Sequence, residues 1–386
     1  MRYYFDNAAT SFPKSPAVLK AIETYQRDCG AAAGRGGYRS AVEAGKIVDG
    51  CRTEAARLLQ VPASRIVFTF NGTDGLNQAI LGVCRPGDHV ITTTWEHNSV
   101  LRPLRFLEDA GTVEVTRLVP DASGQVSPFL IQEALRSNTR LVIVQHASNV
   151  LGIVQDVNAI GQVVRAHGAL FAVDAAQTAG HRPITLSDAP IDLWITSGHK
   201  GLGGPLGTGL LYVGPRAEDH MEPRRWGGTG THSEDDRQPT ELPDRFESGN
   251  LNVPGLAGLR AALSELSNEI LQQRHQREHE QLASLWTPLA EQPGITLYGP
   301  SPLDCDRLGV ISLNIDGFAP HELAGILDEH YGIEGRAGLH CAPGVHRWLG
   351  TIDTGGTYRL SLGPTVTDED IAHVTQALLE IAGGHV

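Results

Sequence analysis

A single lysine, Lys200, lies between an apolar run and a glycine-rich loop in the segment LWITSGHKGLGG, residues 193–204. Its amine could bind an anion while charged, or act as a base or nucleophile when neutral. A phosphate-binding P-loop needs Gly before the lysine and Ser or Thr after it, but His199 and Gly201 stand there. A dinucleotide-binding glycine pattern starting at Gly201 would end on Leu206 instead of glycine. Two interpretations are left: an exposed loop lysine, or a lysine placed at a strand end for chemistry.

An aspartate, Asp174, ends the apolar run of residues 170–173. Burying a carboxylate there is costly unless a cation pairs with it. One interpretation is an N-cap for the next helix. The other is a carboxylate that pairs with the pyridinium nitrogen of pyridoxal phosphate (PLP), which enzymes hold through a Schiff-base lysine. Asp174 and Lys200 lie 200 − 174 = 26 residues apart at the ends of neighbouring predicted strands, so both could face one crevice.

Further polar groups near predicted strand ends could bind an anion or an aromatic ring. The turn at residues 71–73 (NGT) precedes a predicted helix, and its N–H groups and hydroxyl suit an anion. Ser197 and His199 could donate to the same anion. His97 could lie flat on an aromatic cofactor and transfer protons. The structural alternatives are a simple helix cap at the turn and a satisfied structural histidine at position 97.

Two groups of the C-terminal third could complete such a site. Cys341 lies in the loop GRAGLHCAP, residues 335–343, where neighbouring Arg and His favour the thiolate. Its alternative is a small buried cysteine. Arg359 interrupts an otherwise apolar strand, and its guanidinium could bind a substrate carboxylate through two hydrogen bonds. Its alternative is a structural ion pair.

The elements that must position these groups alternate along the first two thirds of the chain. Short β-branched and apolar runs predict strands, and helix-length segments separate them. This pattern predicts an α/β fold whose mostly parallel sheet is buried on both faces. Because ligands bind such sheets at the carboxyl ends of strands, we expect the polar groups to share one crevice. The predicted strands are residues 66–70, 89–93, 141–144, 170–174, 193–196 and 209–213, with helices over 74–83, 101–107 and 157–167.

The rest of the chain predicts a smaller α+β unit. Residues 215–250 indicate irregular loop, and residues 255 to about 285 indicate one long helix. Strands are predicted at 308–315 and 358–362, with helices at 320–331 and 368–382. We therefore predict three parts, which are an N-terminal segment (1–15) packing with the small domain, a large cofactor-binding domain (16–254) and a small C-terminal domain (255–386).

Composition narrows the classes of function and location. The 386 residues carry a formal net charge of −13, which argues against nucleic acid or an anionic membrane as a partner. The chain shows neither a secretory signal nor an apolar run of about 18 residues. Its five cysteines are scattered without a CxxC pair, which argues against a disulfide framework or a zinc site, and no metal site is predicted. A reducing cytoplasm fits this cysteine usage best.

Taken together, the segments YFDNAAT (4–10), VDAAQ (173–177), TSGHK (196–200) and RLS (359–361) resemble the cysteine desulfurase and selenocysteine lyase family of class V, fold-type I PLP enzymes. The resemblance covers almost the whole chain. The RAGLHCAP loop is similar to that of the SufS-like short-loop branch. The resemblance implies a seven-stranded type of sheet in the large domain and a homodimer. It also implies conversion of L-cysteine to L-alanine, with a persulfide whose sulfur passes to an acceptor protein.

The resemblance also implies residue roles. Lys200 would form the Schiff base with PLP and remove the substrate Cα proton, and Cys341 would accept the sulfur. His97 would stack on the ring and act as acid or base toward the substrate thiol. Arg359 would bind the substrate carboxylate, with Asn149 near the ring oxygen and the substrate. The other cofactor contacts would be the ring partners Asp174 and Gln177 and the phosphate-binding residues Gly72, Thr73, Ser197, His199 and Asn250.

The chain departs from the family pattern at two positions. Asn250 in FESGN (246–250) stands where relatives usually have a Thr that reaches the phosphate of the neighbouring subunit. Leu339 replaces a polar residue common beside the cysteine. The acceptor and the choice between L-cysteine and L-selenocysteine therefore stay open. The alternative functions are another class V aminotransferase or lyase, which would not need Cys341, and a non-catalytic PLP-fold scaffold.

Overall fold

The structure is a computed structural model and describes residues 2–34, 36–231 and 234–384. Its strands are β1 (Tyr3–Tyr4), β2 (Ile66–Thr69), β3 (Asp88–Thr93), β4 (Val113–Leu118), β5 (Thr139–Gln145), β6 (Leu170–Asp174), β7 (Leu193–Ser197), β8 (Gly209–Val213), β9 (Ile295–Tyr298), β10 (Val310–Ile315), β11 (Ile333–Glu334), β12 (Arg336–Gly338) and β13 (Thr357–Ser361). Its α-helices are α1 (Pro16–Asp28), α2 (Arg39–Leu59), α3 (Gly72–Val83), α4 (Asn98–Asp109), α5 (Pro128–Ala134), α6 (Val157–His167), α7 (Pro215–Glu218), α8 (Val253–Ser264), α9 (Asn268–Glu291), α10 (Pro320–Tyr331), α11 (Pro343–Leu349) and α12 (Asp368–Ala382).

A seven-stranded sheet forms the centre of the fold, with the strand order β2-β8-β7-β6-β5-β3-β4. Strand β8 runs antiparallel to its neighbours β2 and β7, and the other neighbouring pairs are parallel. Every residue of β2, β6, β7 and β8 is buried. This confirms the predicted α/β fold with a mostly parallel sheet.

Alternate residues of the central strands enter two different hydrophobic cores. Phe171 and Val173 of β6 join one core, whereas Ala172 joins the other. On β7, Trp194 lies in the first core and Ile195 in the second. Since successive side chains of a strand point to opposite faces, helices cover both sides of the sheet. Because both faces of these strands are buried, most of their consecutive residues are apolar.

Two helices begin directly where strands of this sheet end. Asn71 caps α3, and its side chain accepts a hydrogen bond from the Asp74 N–H at 2.9 Å. His97 caps α4, and its Nδ1 accepts from the Ser99 N–H at 3.0 Å. These caps place the starts of both helices at the carboxyl end of the sheet, which is where the sequence predicts a crevice.

A second sheet has the order β12-β13-β10-β9 and is antiparallel throughout. The N-terminal residues contact this part of the chain, because β1 pairs with β11 and Asp6 bridges to Ser361. Helix α12 packs on α9, and α10 contacts β10, β12 and β13. The boundaries predicted at residues 15 and 254 stay predictions.

The prediction of a single long helix over residues 255–285 is wrong. The structure has two helices there, α8 and α9, separated by residues 265–267. Ser267 starts the second helix by accepting a hydrogen bond from the Ile270 N–H at 3.3 Å. The first helix packs against α1 and α2, and the second against α12. The helical structure is therefore interrupted between two helices that pack on different surfaces. Helical periodicity in the sequence does not reveal such a break, because the break depends on contacts with distant parts of the chain.

A buried ion pair fixes the FESGN segment, and it yields a stability prediction. Glu247 accepts two hydrogen bonds from Arg52, at 2.8 and 2.7 Å, and one from the Phe68 N–H at 2.6 Å. Replacing Glu247 by Ala would leave the guanidinium buried without its anion, so we expect a loss of about 3–5 kcal/mol in the free energy of unfolding. Denaturant titration measures it. As a control, Glu218→Ala breaks the more exposed pair with Arg65 and should cost under about 1 kcal/mol.

Candidate active site

A cavity opens at the carboxyl ends of the central strands. Eight of the residues singled out in the sequence line it, although they come from five separate parts of the chain. They are Gly72, Thr73, His97, Asn149, Asp174, Gln177, Ser197 and Lys200.

Lys200 and Asp174 form the charged part of the cavity wall. Burial lowers the pKa of Lys200 to about 8, because little water can solvate the ammonium; Asp174 opposes this shift, and Arg359 and Arg336 add to it. Burial raises the pKa of the Asp174 carboxyl, against the opposing effects of the Ala176 N–H at 3.0 Å and of Lys200. Perturbed groups of opposite sign in one cavity are typical of functional sites.

The start of α3 and the end of β7 meet at one side of the cavity. The Gly72 N–H donates to Ser197 Oγ at 3.1 Å. A Cβ on Gly72 would lie 2.8 Å from that oxygen, so a larger residue does not fit there without a shift. Helix α3 has twelve residues and begins at this corner with Gly72 and the exposed Thr73. The arrangement suits an anion such as a phosphate group.

His97 is held in a defined tautomer. Because its Nδ1 accepts from the Ser99 N–H, the neutral ring carries its proton on Nε2. Burial lowers the pKa of His97 to about 4, with Lys200 and Arg336 contributing, so the ring is neutral at pH 7. Ser99 Oγ also lies 2.8 Å from Nδ1 and 2.7 Å from Thr73 Oγ1. His97 is therefore a fixed, uncharged proton donor or acceptor beside the lysine.

Arg359 is buried next to the cavity, and two of its nitrogens already have partners. Its Nη2 pairs with the Asp6 carboxylate, and its Nη1 donates to the Asn149 carbonyl at 2.9 Å. The Nε is buried with no partner among the described residues. Arg336 lies opposite Arg359 in the strand register, and each lowers the pKa of Lys200. Two arginines against one carboxylate leave a net positive charge here.

Cys341 is exposed in a recess that adjoins the main cavity. The recess shares Thr73, His97 and Ser99 with the cavity wall. The cysteine has a left-handed backbone (φ 58°), and so does His340 before it (φ 50°). Such a backbone persists only where the surroundings hold it.

Several hydrogen bonds hold this loop. The Asn98 N–H donates to the Cys341 carbonyl at 2.8 Å, and Asn149 Nδ2 donates to the His340 carbonyl at 2.6 Å. The His340 ring contacts His346 at 3.3 Å and the Arg336 carbonyl at 3.0 Å. The loop is therefore anchored from both the main cavity and the small sheet, and the thiol stays at the recess.

Besides Arg359 and Cys341, two predicted residues do not line the cavity. His199 directs its carbonyl to Ser11 and Lys14, and its Nδ1 is buried without a partner among the described residues. Asn250 is exposed and lines a different cavity with Phe70 and Arg225. The roles of both residues stay predictions.

Sequence reasoning missed four groups near the site. Gln145 ends β5, one residue beyond the predicted strand, and Ser99 lies in the first turn of α4. Ala147 also lines the cavity. Arg336 was visible in the cysteine loop, but its place opposite Arg359 depends on strand pairing. The strand-end position of Gln145 is the signal that could have found it.

Comparison of the sequence with known protein families defines the class to which this chain belongs. Residues 3–374 match the family model described as aminotransferase class-V. The chain belongs to this family.

Curated relatives and solved structures agree on a narrower group. A probable cysteine desulfurase of Methanothermobacter thermautotrophicus is 35% identical over 384 residues, covering 98% of this chain and 94% of the relative. A cysteine desulfurase of Salmonella dublin is 30% identical over 386 residues, covering 98% and 93%. The apo cysteine desulfurase of Thermococcus onnurineus has a TM-score of 0.92 at 32% identity, covering 99% of this chain and 95% of that one. The cysteine desulfurase CsdA of Escherichia coli has a TM-score of 0.88 at 27% identity, covering 100% and 95%.

None of the helices in the described part of the chain is both long and apolar enough to cross a membrane. The predicted cytoplasmic location stays a prediction.

Proposed function

We propose that the protein is a PLP-dependent cysteine desulfurase that passes the substrate sulfur to Cys341. The observation that carries the proposal is the cavity that brings Lys200 and Asp174 together, beside a recess that holds Cys341. The similarity to cysteine desulfurases over almost the whole chain supports the same activity.

The residues of the cavity fit PLP. Asp174 has a raised pKa because the effect of its burial exceeds the opposing effects of the Ala176 N–H and of Lys200, and a protonated ring nitrogen would add a positive charge beside it. Asn149 Oδ1 is buried without a partner among the described residues, so a ligand could satisfy it. Gly72, Thr73 and Ser197 form the corner that suits the phosphate. Gln177 would hydrogen-bond the ring oxygen, and His97 would stack on the ring.

PLP, bound through Lys200, would supply an electron sink that stabilises negative charge on the substrate Cα. The protein supplies the proton transfers. A lysine with a pKa of about 8 is neutral more often at pH 7 than an ordinary lysine, so its Nζ can take the Cα proton. His97 Nε2 is the site from which a proton can move to or from the substrate thiol.

Cys341 would accept the sulfur. Its thiolate attacks the substrate sulfur, a new S–S bond forms, and the substrate C–S bond breaks. The electron pair of the broken bond stays with the carbon skeleton, which leaves as L-alanine after protonation. Cys341 is left as a persulfide. A thiol of the acceptor protein, or a small reductant, then removes the outer sulfur.

Arg359 would bind the substrate carboxylate, since its Nε is buried and unpaired among the described residues. Asn149, whose carbonyl accepts from Arg359, would hold the substrate beside the ring. Arg336 adds a second positive charge. The net charge of the two arginines and Asp6 suits one carboxylate.

We also propose a homodimer. Asn250 is exposed and lies outside the cavity that holds Lys200, which fits a residue that reaches the phosphate in a neighbouring copy. The exposed Cys341 would face the sulfur acceptor.

The direct test supplies L-cysteine to the purified PLP-loaded protein and measures alanine and sulfide with and without a reducing thiol. With the reducing thiol we expect alanine and sulfide in equal amounts. Without it we expect slower turnover and less sulfide than alanine, because the outer sulfur stays on Cys341 as a persulfide. Amino transfer to a 2-oxo acid without sulfide would favour an aminotransferase. Much faster turnover of L-selenocysteine than of L-cysteine would favour a selenocysteine lyase. If no amino acid is turned over, a non-catalytic scaffold would be favoured.

A stability measurement tests the role of Asp174 separately. In the PLP-free protein, Asp174→Asn removes a buried carboxylate whose desolvation Lys200 and the Ala176 N–H offset only in part, and we expect the melting temperature to rise by about 2 °C. With PLP, the same variant should bind the cofactor less tightly and turn over about 100-fold more slowly or worse. Asp306→Asn is the control, because hydrogen bonds from His275 and Arg182 lower the pKa of Asp306 to about 2, so this substitution should lower the melting temperature. A destabilised PLP-free Asp174→Asn protein would contradict the assignment.

A further inference from the structure

Arg274 of α9 binds the main chain beside Lys200. Its Nη1 donates to the carbonyl of Gly180 and to that of Gly201, the latter at 3.1 Å. Gly201 follows Lys200 directly. The guanidinium therefore binds the carbonyl of the residue that follows the lysine.

The two glycines that Arg274 binds touch each other through their backbones. A Cβ on Gly180 would lie 2.1 Å from the Gly201 carbonyl carbon and oxygen. A Cβ on Gly201 would lie 2.4 Å from the Ala179 carbonyl oxygen and from the His181 ring. No side chain fits between the two turns, so a shift of one requires a shift of the other.

A buried contact between a histidine and a glutamate completes the arrangement. His181 Nδ1 lies 2.9 Å from both oxygens of Glu278, which is only 3% exposed. Burial lowers the pKa of Arg274, and Glu278 opposes that shift. A buried guanidinium is stable only with such compensation. Arg274, Glu278 and His181 thus form one unit, which we call the α9 clamp.

The same helix also contacts the sheet that carries Arg359. Helix α9 packs on β9, β10 and α12. Strand β10 pairs with β13, where Ser312 lies opposite Arg359. One helix therefore connects the turn after the lysine to the sheet that holds the arginine.

We propose that Arg274 and Glu278 are positioning residues that fix Lys200 relative to Arg359. The amine and the carboxylate of one amino-acid substrate must be engaged together, so the spacing of these two groups matters. This inference rests on the proposed function. A displacement of about 1 Å at a reacting group can cost on the order of 100-fold in rate.

The test compares Arg274→Met with Arg277→Met in the PLP-loaded protein. Arg277 lies on the same helix, but its Nη2 donates to the Val366 carbonyl at 3.0 Å, away from the lysine. We expect Arg274→Met to lower kcat for L-cysteine about 10- to 100-fold with a smaller change in KM. We also expect faster amide hydrogen exchange in residues 198–204. Arg274→Lys should recover part of kcat, and Arg277→Met should leave kcat and exchange in that segment unchanged.

The two readouts separate the clamp from the proposed function. If Arg274→Met and Arg277→Met show the same kcat and the same exchange in residues 198–204, the clamp is overturned. If the wild-type protein does not turn over L-cysteine, the proposed function fails, but the exchange comparison still decides whether Arg274 holds the lysine turn. Should Arg274→Met not fold, Glu278→Gln, which keeps the size of the side chain, takes its place in both measurements.

Discussion

Replacing Lys200 by Ala should remove the absorption band of bound PLP at about 420 nm and nearly all turnover of L-cysteine. Lys200 lines the cavity, and the surroundings that lower its pKa to about 8 make its amine available near neutral pH. Loss of a positioned base alone costs about 10²- to 10⁴-fold in rate, and loss of the covalent link adds to this. Absorbance spectra and alanine release measure the two effects.

Lys14 offers a matched control for this experiment. Burial also lowers its pKa to about 8, and its Nζ donates to the His199 carbonyl at 2.7 Å, close to the same loop. Lys14 does not line the cavity, so the Lys14→Met protein should keep the absorption band of the PLP Schiff base. A band that survives Lys200→Ala but disappears in Lys14→Met would move the cofactor link to the other lysine.

The central sheet could be predicted from the sequence because its strands are buried on both faces. Burial on both faces produces short apolar runs, as at residues 170–173, which stand out from helical segments. The polar residues at their ends could then be placed together, since parallel strands end at one edge of a sheet. Most of the cavity wall follows from these two facts. Strand β4, with a largely half-exposed surface, lacks such a run and was not predicted.

Contacts between distant parts of the chain could not be predicted in this way. Asp6 and Arg359 are 353 residues apart, and no local pattern shows that they pair. The place of Arg336 depends on the register of β12 with β13. The break between α8 and α9 depends on two separate packing surfaces. Each of these features depends on tertiary packing. A single sequence shows no local pattern from which such packing could be predicted.

The residues of the candidate site come from two different parts of the fold. The groups that would bind the cofactor follow from strand ends, whereas those around the substrate carboxylate and the acceptor thiol come from the small sheet and its loops. Cys341 sits in a left-handed backbone held by Asn98 and His340, so its position depends on contacts far from the central sheet. Its chemistry therefore needs an experiment of its own.

Replacing Cys341 by Ser should stop desulfuration while leaving the cofactor and substrate binding intact. A serine hydroxyl fits the same loop, but it is scarcely ionised at neutral pH and is a far poorer nucleophile than a thiolate, so alanine release should fall at least about 100-fold. The spectral change on adding L-cysteine should persist, because Lys200 and Arg359 are untouched. Mass spectrometry of the wild-type protein after reaction should find one extra sulfur on the peptide that contains Cys341.

Cys305→Ser is the matched control, because Cys305 also lies in a polar loop but away from the recess. Burial raises the pKa of its thiol, and its Sγ lies 3.6 Å from the Ser301 carbonyl, so it is a poor thiolate. This variant should release alanine at the wild-type rate. If Cys341→Ser did the same, the sulfur would leave without this cysteine. The exposed position of Cys341 would then need another explanation, and a lyase that frees the sulfur directly would replace the desulfurase.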